Sequence, residues 1–168
     1  DAGVLLEAML HLGTLGAVFM TFQKDIRHIL YEMLDMILDI VGNAHLYIHN
    51  RRTGKQLHYA RIISNTYRKF AVLLLVSMIP TALLGYTARR LVVLAADSVL
   101  IPSAGLLVTG IVLLVIDLAR TGGTKAAKDA NLSDAMWIGL CQGISVFPGL
   151  SRSGLTISAG LMSGFSRT

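Results

Sequence analysis

Long apolar runs alternate with short polar, basic stretches along this chain, and the lengths of the runs set the expected architecture. Val4–Phe22 carries only Glu7 as a formal charge, while Phe70–Ala88 and Ser98–Ile116 carry none. At about 1.5 Å per helical residue each is long enough to cross a hydrocarbon core of about 30 Å. Two further uncharged stretches, Ala135–Phe147 and Leu155–Ser166, are too short to span singly. They flank the sequence "FPGLSRSGLT", in which Pro148 stops a helix and Gly149 and Gly154 let the backbone turn. This pattern predicts a re-entrant broken-helix hairpin over about 135–166.

Between the first two runs, Ile26, Ile29, Leu30, Met33, Leu34, Ile37, Ile40 and Val41 recur at helical spacing, with Glu32, Asp35 and Asp39 on another face. The expectation is an interfacial amphipathic helix ending near Gly42 and Asn43, followed by the polar turn "HNRRTGKQ". "ARTGGTKAAKDANLSD", Ala119 to Asp134, reads as a flexible linker with Ser133 as the N-cap of the next half-helix. Pro80 should kink the second span. Gly139/Gly143 and Gly160/Gly164 have the G-x-x-x-G spacing that lets membrane helices approach closely.

Composition agrees with a membrane protein: 54% of residues are apolar, 15% are charged, and mean hydropathy is +0.63. The fold class expected is an all-α integral membrane protein, a polytopic bundle in one membrane domain over residues 1–168. Eight Lys or Arg residues fall between Gln23 and Lys69, whereas the next connection holds only Arg89 and Arg90. The positive-inside bias therefore puts residues 23–69 and the 119–134 connection in the cytoplasm. The net charge of +5 needs no nucleic-acid partner, because basic residues beside spans serve topology and anionic lipid head groups. Cys141 is the single cysteine, which excludes an internal disulfide and leaves inert packing.

The candidate chemistry centres on Arg152. Between apolar arms an arginine costs roughly 2.5–3.5 kcal/mol on insertion scales, so it should face a hydrated cavity with an anionic partner. A second half-helix opening near Ser153 would add backbone N–H groups and its dipole to the guanidinium and to the hydroxyls of Ser151, Ser153 and Thr156. That set describes a phosphate site. The competing reading pairs Arg152 with a carboxylate of the bundle or lets it snorkel to head groups. Glu7 and His11, four residues apart on one face of the first run, form a second constellation suited to packing or to supporting a site. They are too few to hold a metal.

"QGISVFPGLSRSGLTIS", Gln142 to Ser158, closely resembles the second signature, P-G-x-S-R-S-x-x-T, of the undecaprenyl-diphosphate phosphatase (bacitracin-resistance) family; Pro148, Gly149, Ser151, Arg152, Ser153 and Thr156 all match. "LLEAMLHLGTLGAVF", "SMIPTALLGY" and "AGLLVTGIVLL" resemble that family's intervening spans in the same order. The resemblance implies an inverted repeat with two re-entrant hairpins. It also implies an enzyme of the bacterial inner membrane that hydrolyses undecaprenyl diphosphate to recycle the lipid carrier of cell-wall synthesis. By the same resemblance Arg152 and Ser151 act in catalysis, while Gly149, Ser151, Arg152, Ser153, Gly154 and Thr156 hold the diphosphate. Gln142, Glu7 and His11 stand behind them.

The family's first signature, an E/Q-x-x-x-E stretch with a serine and a histidine, is not found in these residues. The pseudo-symmetric carboxylate position here is Val146. The nucleophile, the general base and the ligands of a divalent cation, Mg or Ca, are therefore expected outside this chain. The chain is expected to be an internal fragment, inactive alone. Partners would be a polyprenyl diphosphate and membrane lipids, with a homo-oligomer left open. A transporter or lipid flippase with a midplane anion site is the alternative that broken helices also allow.

Overall fold

The computed structural model describes residues 2–119 and 123–167, and residues 2–4 and 7 by backbone alone. The described chain is helical, with five α-helices: α1 (Ala2–Thr53), α2 (Thr66–Ala96), α3 (Leu100–Leu118), α4 (Leu132–Ile144) and α5 (Arg152–Met162). A 3-10 turn, Ala127–Asp129, precedes α4. The chain divides into two compact units, Asp1–Ala71 and Val72–Thr168.

In the first unit, α1 departs from helical backbone angles at Phe22 (φ −107°, ψ 20°), where the opening apolar run ends. The arm beyond it does not stop at Gly42 and Asn43 as expected but continues to Thr53, and Gly54 ends it in the left-handed region (φ 70°). Asn43 is occupied differently. Its side-chain amide donates to the carbonyl of Ala60 (2.8 Å), and its side-chain oxygen accepts from the Ala60 amide (2.7 Å). One heptad on, Asn50 does the same with Leu57, at 3.0 and 3.1 Å. Residues 54–65 therefore form a strap that folds back along the arm, with the backbone groups of Leu57 and Ala60 satisfied by two asparagines instead of by a helix or sheet.

The strap ends at Asn65, whose side chain caps α2 by accepting from the Arg68 amide (2.8 Å) and donates to Glu32 (2.7 Å). Arg68 is buried. Its Nε donates to Glu32 (2.8 Å), and its Nη1 donates to Asp39 (2.5 Å) and to the Ile62 carbonyl (3.0 Å). The Arg68 hydrogen bond holds the Glu32 carboxyl below its ordinary range, against the opposing effect of partial burial. Glu32 and Asp39 thus line the covered side of the arm, while Asp35 is exposed.

In the second unit, α2 and α3 are long and apolar enough to cross a membrane by length and composition. Helix α2 runs unbroken through Pro80. Glycines set its packing against α4: a Cβ on Gly139 would collide with the Ser77 carbonyl and the Pro80 ring, and one on Gly143 would lie 2.6 Å from Leu84 Cδ1. The Thr81 hydroxyl, which can donate to Ser77 O (2.9 Å) or Gly139 O (2.8 Å), ties the same two helices. Gly160 and Gly164 differ, since a Cβ on either would meet nothing within 4 Å; Gly164 instead takes φ 87° to end α5.

The connection before α4 has a built structure where a flexible linker was expected. Asn131, not Ser133, is the N-cap, accepting from the Asp134 amide (2.9 Å), while the Asp134 carboxylate accepts from the Asn131 amide (2.8 Å). Asp134 also pairs with Lys125, whose ammonium lies 5.0 Å from the Phe165 ring centre. Backbone bonds Lys125 N–H to Gly164 O (3.1 Å) and Ser166 N–H to Lys125 O (3.0 Å) join this connection to the end of α5. The hairpin α4–α5 is thereby fastened at the ends away from its turn.

Candidate active-site loop

The turn of the hairpin, residues 145–151, lies backbone to backbone on the start of α3. Gly149 has φ 85°, and a Cβ there would run into the carbonyl of Pro102. Facing it, a Cβ on Gly105 would sit 2.7 Å from Pro148 O and 2.9 Å from the Gly149 carbonyl carbon. One helical turn along α3, the buried Thr109 accepts a hydrogen bond from the Ser151 amide (3.1 Å), and its own hydroxyl donates to Gly105 O (2.9 Å). Gly154 packs on the same threonine, with its Cβ position 3.1 Å from Thr109 Cγ2. In the sequence Gly105 and Thr109 look like ordinary residues of a span, and only the small-x-x-x-small spacing between them marks this contact.

Seated this way, the loop opens α5 at Arg152. Ser151 is the N-cap: its Oγ accepts from the Gly154 amide (3.1 Å) and lies 3.3 Å from the Ser153 Oγ, leaving the Ser151 hydroxyl proton for an outside acceptor or for Ser153. The first two amides of the helix, those of Arg152 and Ser153, have no acceptor among the described residues. Arg152 and Ser153 are both exposed. Arg152 makes no ion pair with a described residue. A five-donor guanidinium, two open amides and two serine hydroxyls at the positive end of a helix dipole can together bind a tetrahedral oxyanion.

The other sequence candidates divide. Thr156 is half-buried, and its hydroxyl donates to Arg152 O (2.9 Å) or Ser153 O (3.2 Å), so its proton is committed to the helix while its lone pairs stay available. Gln142 is half-buried on α4, and its carbonyl accepts from the Ser145 hydroxyl (2.7 Å). The Glu7 side chain lies outside the described residues, and His11 is exposed on α1 in the first unit. The loop brings together Gly149, Ser151, Arg152, Ser153 and Gly154, with Thr156 one turn on. Among the described residues no cluster of three His, Cys, Asp or Glu side chains could hold a metal ion.

An undecaprenyl-diphosphatase of Alkaliphilus metalliredigens is 36% identical over 167 residues, covering 99% of this chain and 55% of the relative. Those of Methanosphaera stadtmanae and Korarchaeum cryptofilum are each 32% identical, over 99% and 95% of this chain and 56% and 53% of the relatives. The chain therefore spans about half the length of the curated relatives it matches. No solved structure matches it at a significant level. The profile of the family described as "Bacitracin resistance protein BacA" matches residues 1–168, and the chain, with its arginine-bearing hairpin loop, belongs to that family.

Proposed function

We propose that this chain supplies the anion-binding half of a membrane enzyme that hydrolyses undecaprenyl diphosphate to undecaprenyl phosphate and inorganic phosphate. The observation that carries the reading is Arg152: exposed, unpaired among the described residues, and first in a helix whose leading amides are open. The names of the relatives, all undecaprenyl-diphosphatases, supply the substrate.

In this mechanism the guanidinium takes two oxygens of the terminal phosphate bidentately, and the Arg152 and Ser153 amides take a third. The nucleophile is a water, or a serine hydroxyl whose phosphoester a water then hydrolyses, from the half of the relatives that this chain does not span. It gives up its proton to a base in that half and forms the new P–O bond as the bond to the anhydride oxygen, in line with it, breaks. That oxygen departs with the lipid monophosphate. Charge builds on the equatorial oxygens during transfer, and donors fixed beforehand by the Thr109–Ser151 bond and the Gly149–Pro102 contact stabilise it without reorganising. The Ser151 hydroxyl is placed to donate to the same phosphate. The loop carries no carboxylate and does not fit a hard divalent cation.

The protein would act as a multi-pass protein of the inner membrane, with residues 23–69 cytoplasmic by the charge bias, the spans near 4–22, 70–88 and 98–116, and the hairpin re-entrant. Nothing in the site favours transport over hydrolysis. The test uses the full-length protein in detergent, with phosphate release from a polyprenyl diphosphate as readout. Replacing Arg152 by Ala is expected to lower kcat by about 10²–10³, the loss typical of one transition-state donor. Release at the parental rate would remove Arg152 from the mechanism.

A further inference from the structure

The arm of α1 presents an apolar face that the strap leaves uncovered. Met36, Asp39, Asn43 and Asn50 turn toward the strap, and Met36 is 8% exposed. On the opposite side Leu30, Leu34, Ile37, Leu38, Val41 and Ile48 are each more than half exposed, between 51% and 67%. Five of these follow the 4-3-4-7 spacing of a helix seam. A coiled-coil partner would call for Glu or Lys on the flanks of that seam. Here the flanks carry Tyr31, Leu38 and Ile40, all exposed, which widens the stripe into a broad apolar face with His45 as its one polar interruption.

Charge says what such a face meets. From Gln23 to Lys69 there are eight Lys or Arg against four carboxylates, and two of those carboxylates, Glu32 and Asp39, are paired with Arg68 on the strap side. Lys24 and Arg27 at the start of the arm, Arg51 and Arg52 in its last turn, and Lys55 and Arg61 in the strap are exposed. The strap then leads directly into α2, a helix long enough to cross a bilayer. We propose that the arm, Gln23 to Thr53, seats on an anionic lipid surface through the face opposite the strap. The apolar stripe would enter to about 5–10 Å, with the basic ends snorkelling to lipid phosphates. The strap's role follows: it covers part of the polar side of the arm, where Glu32 and Asp39 are half-buried, so that the arm can turn its hydrocarbon outward.

The test uses the full-length protein with its cysteines, Cys141 among them, replaced by Ser, reconstituted in lipid nanodiscs and labelled with an environment-sensitive fluorophore at Leu34→Cys, Val41→Cys or, on the strap, Gln56→Cys. In discs containing phosphatidylglycerol, the Leu34→Cys and Val41→Cys labels are expected to shift to the blue and to be quenched by lipid-attached nitroxide, while the Gln56→Cys label stays in water. Both effects should weaken in purely zwitterionic discs and in an Arg51→Glu/Arg52→Glu variant. Arm labels as water-exposed as the strap label would overturn the proposal. So would insertion indifferent to lipid charge, or excimers between pyrene-labelled copies showing that a second copy covers the face.

Discussion

Arg68 and Arg152 are the same side chain in opposite circumstances. Arg68 is buried and paired, donating to Glu32, to Asp39 and to the Ile62 carbonyl. Arg152 is exposed and makes no ion pair among the described residues, on a turn whose neighbours supply further donors and no carboxylate. The first closes a polar clasp around a strap; the second stands in a cluster of donors with no acceptor among the described residues. A charge in an apolar chain therefore acquires its meaning from whether the fold provides its counter-ion.

The two regions also hold their segments by opposite means. The strap is held by side chains that replace backbone partners. The hairpin turn is held by the absence of side chains, at Gly149 and Gly105, and is locked by one threonine.

The largest effect should come from Gly149→Ala. A left-handed φ costs a non-glycine residue on the order of 1–3 kcal/mol, and the added methyl also collides with the Pro102 carbonyl. The turn is expected to lift from α3, with a lower Tm and near-complete loss of phosphate release by the full-length protein. Unchanged activity would show that the turn does not need this seat.

Next in size is Thr109→Val. It strips the Ser151 amide of its acceptor at a buried position, costing about 1–3 kcal/mol. It should depress kcat more than KM, because the donors lose their fixed placement rather than their charge. On the clasp side, Asn43→Ala removes two hydrogen bonds to Ala60, each with a net worth of about 1 kcal/mol. Hydrogen exchange of the Ala60 amide should accelerate about tenfold or more, with phosphate release little changed.

The smallest effect is in pH. Glu32 binds its proton more weakly folded than unfolded, so its pair with Arg68 contributes fully above the unfolded value and is lost as pH falls through the lowered folded value. Strap amides should therefore lose exchange protection only below the usual carboxylate range. Glu32→Gln should flatten that acid limb.

The site was more legible than the scaffold around it. Pro148, Gly149 and the uncharged arms specify a broken hairpin because a helix breaker, a glycine and two short apolar runs have few other arrangements in a bilayer. Arg152 stands out because its neighbours are apolar. What escaped were contacts that leave only a spacing in the sequence. Gly105 and Thr109 look like ordinary span residues until the turn is laid on them. Asn43 next to Gly42 has the look of a helix stop, yet its side chain is bonded to Ala60, seventeen residues on, and the helix continues. The heptad from Asn43 to Asn50, matching that from Glu32 to Asp39, was the trace of a covered face, but no periodicity in residues 54–65 announced what covers it. Asn131 with Asp134 is a capping-box pair two residues ahead of the serine that hydrophobic onset alone would select.

The most direct test sets the two arginines side by side. Arg152→Lys and Arg68→Lys, made in the full-length protein, each keep the charge and lose the planar fork. Phosphate release from a polyprenyl diphosphate is expected to fall by about tenfold or more for Arg152→Lys, with strap exchange unaltered, on the scale of 1.4 kcal/mol per tenfold. Arg68→Lys should loosen the strap and keep most of the release. Equal rates for the parent and Arg152→Lys, or a greater loss of release in Arg68→Lys, would contradict the assignment of the hairpin arginine as the phosphate clamp.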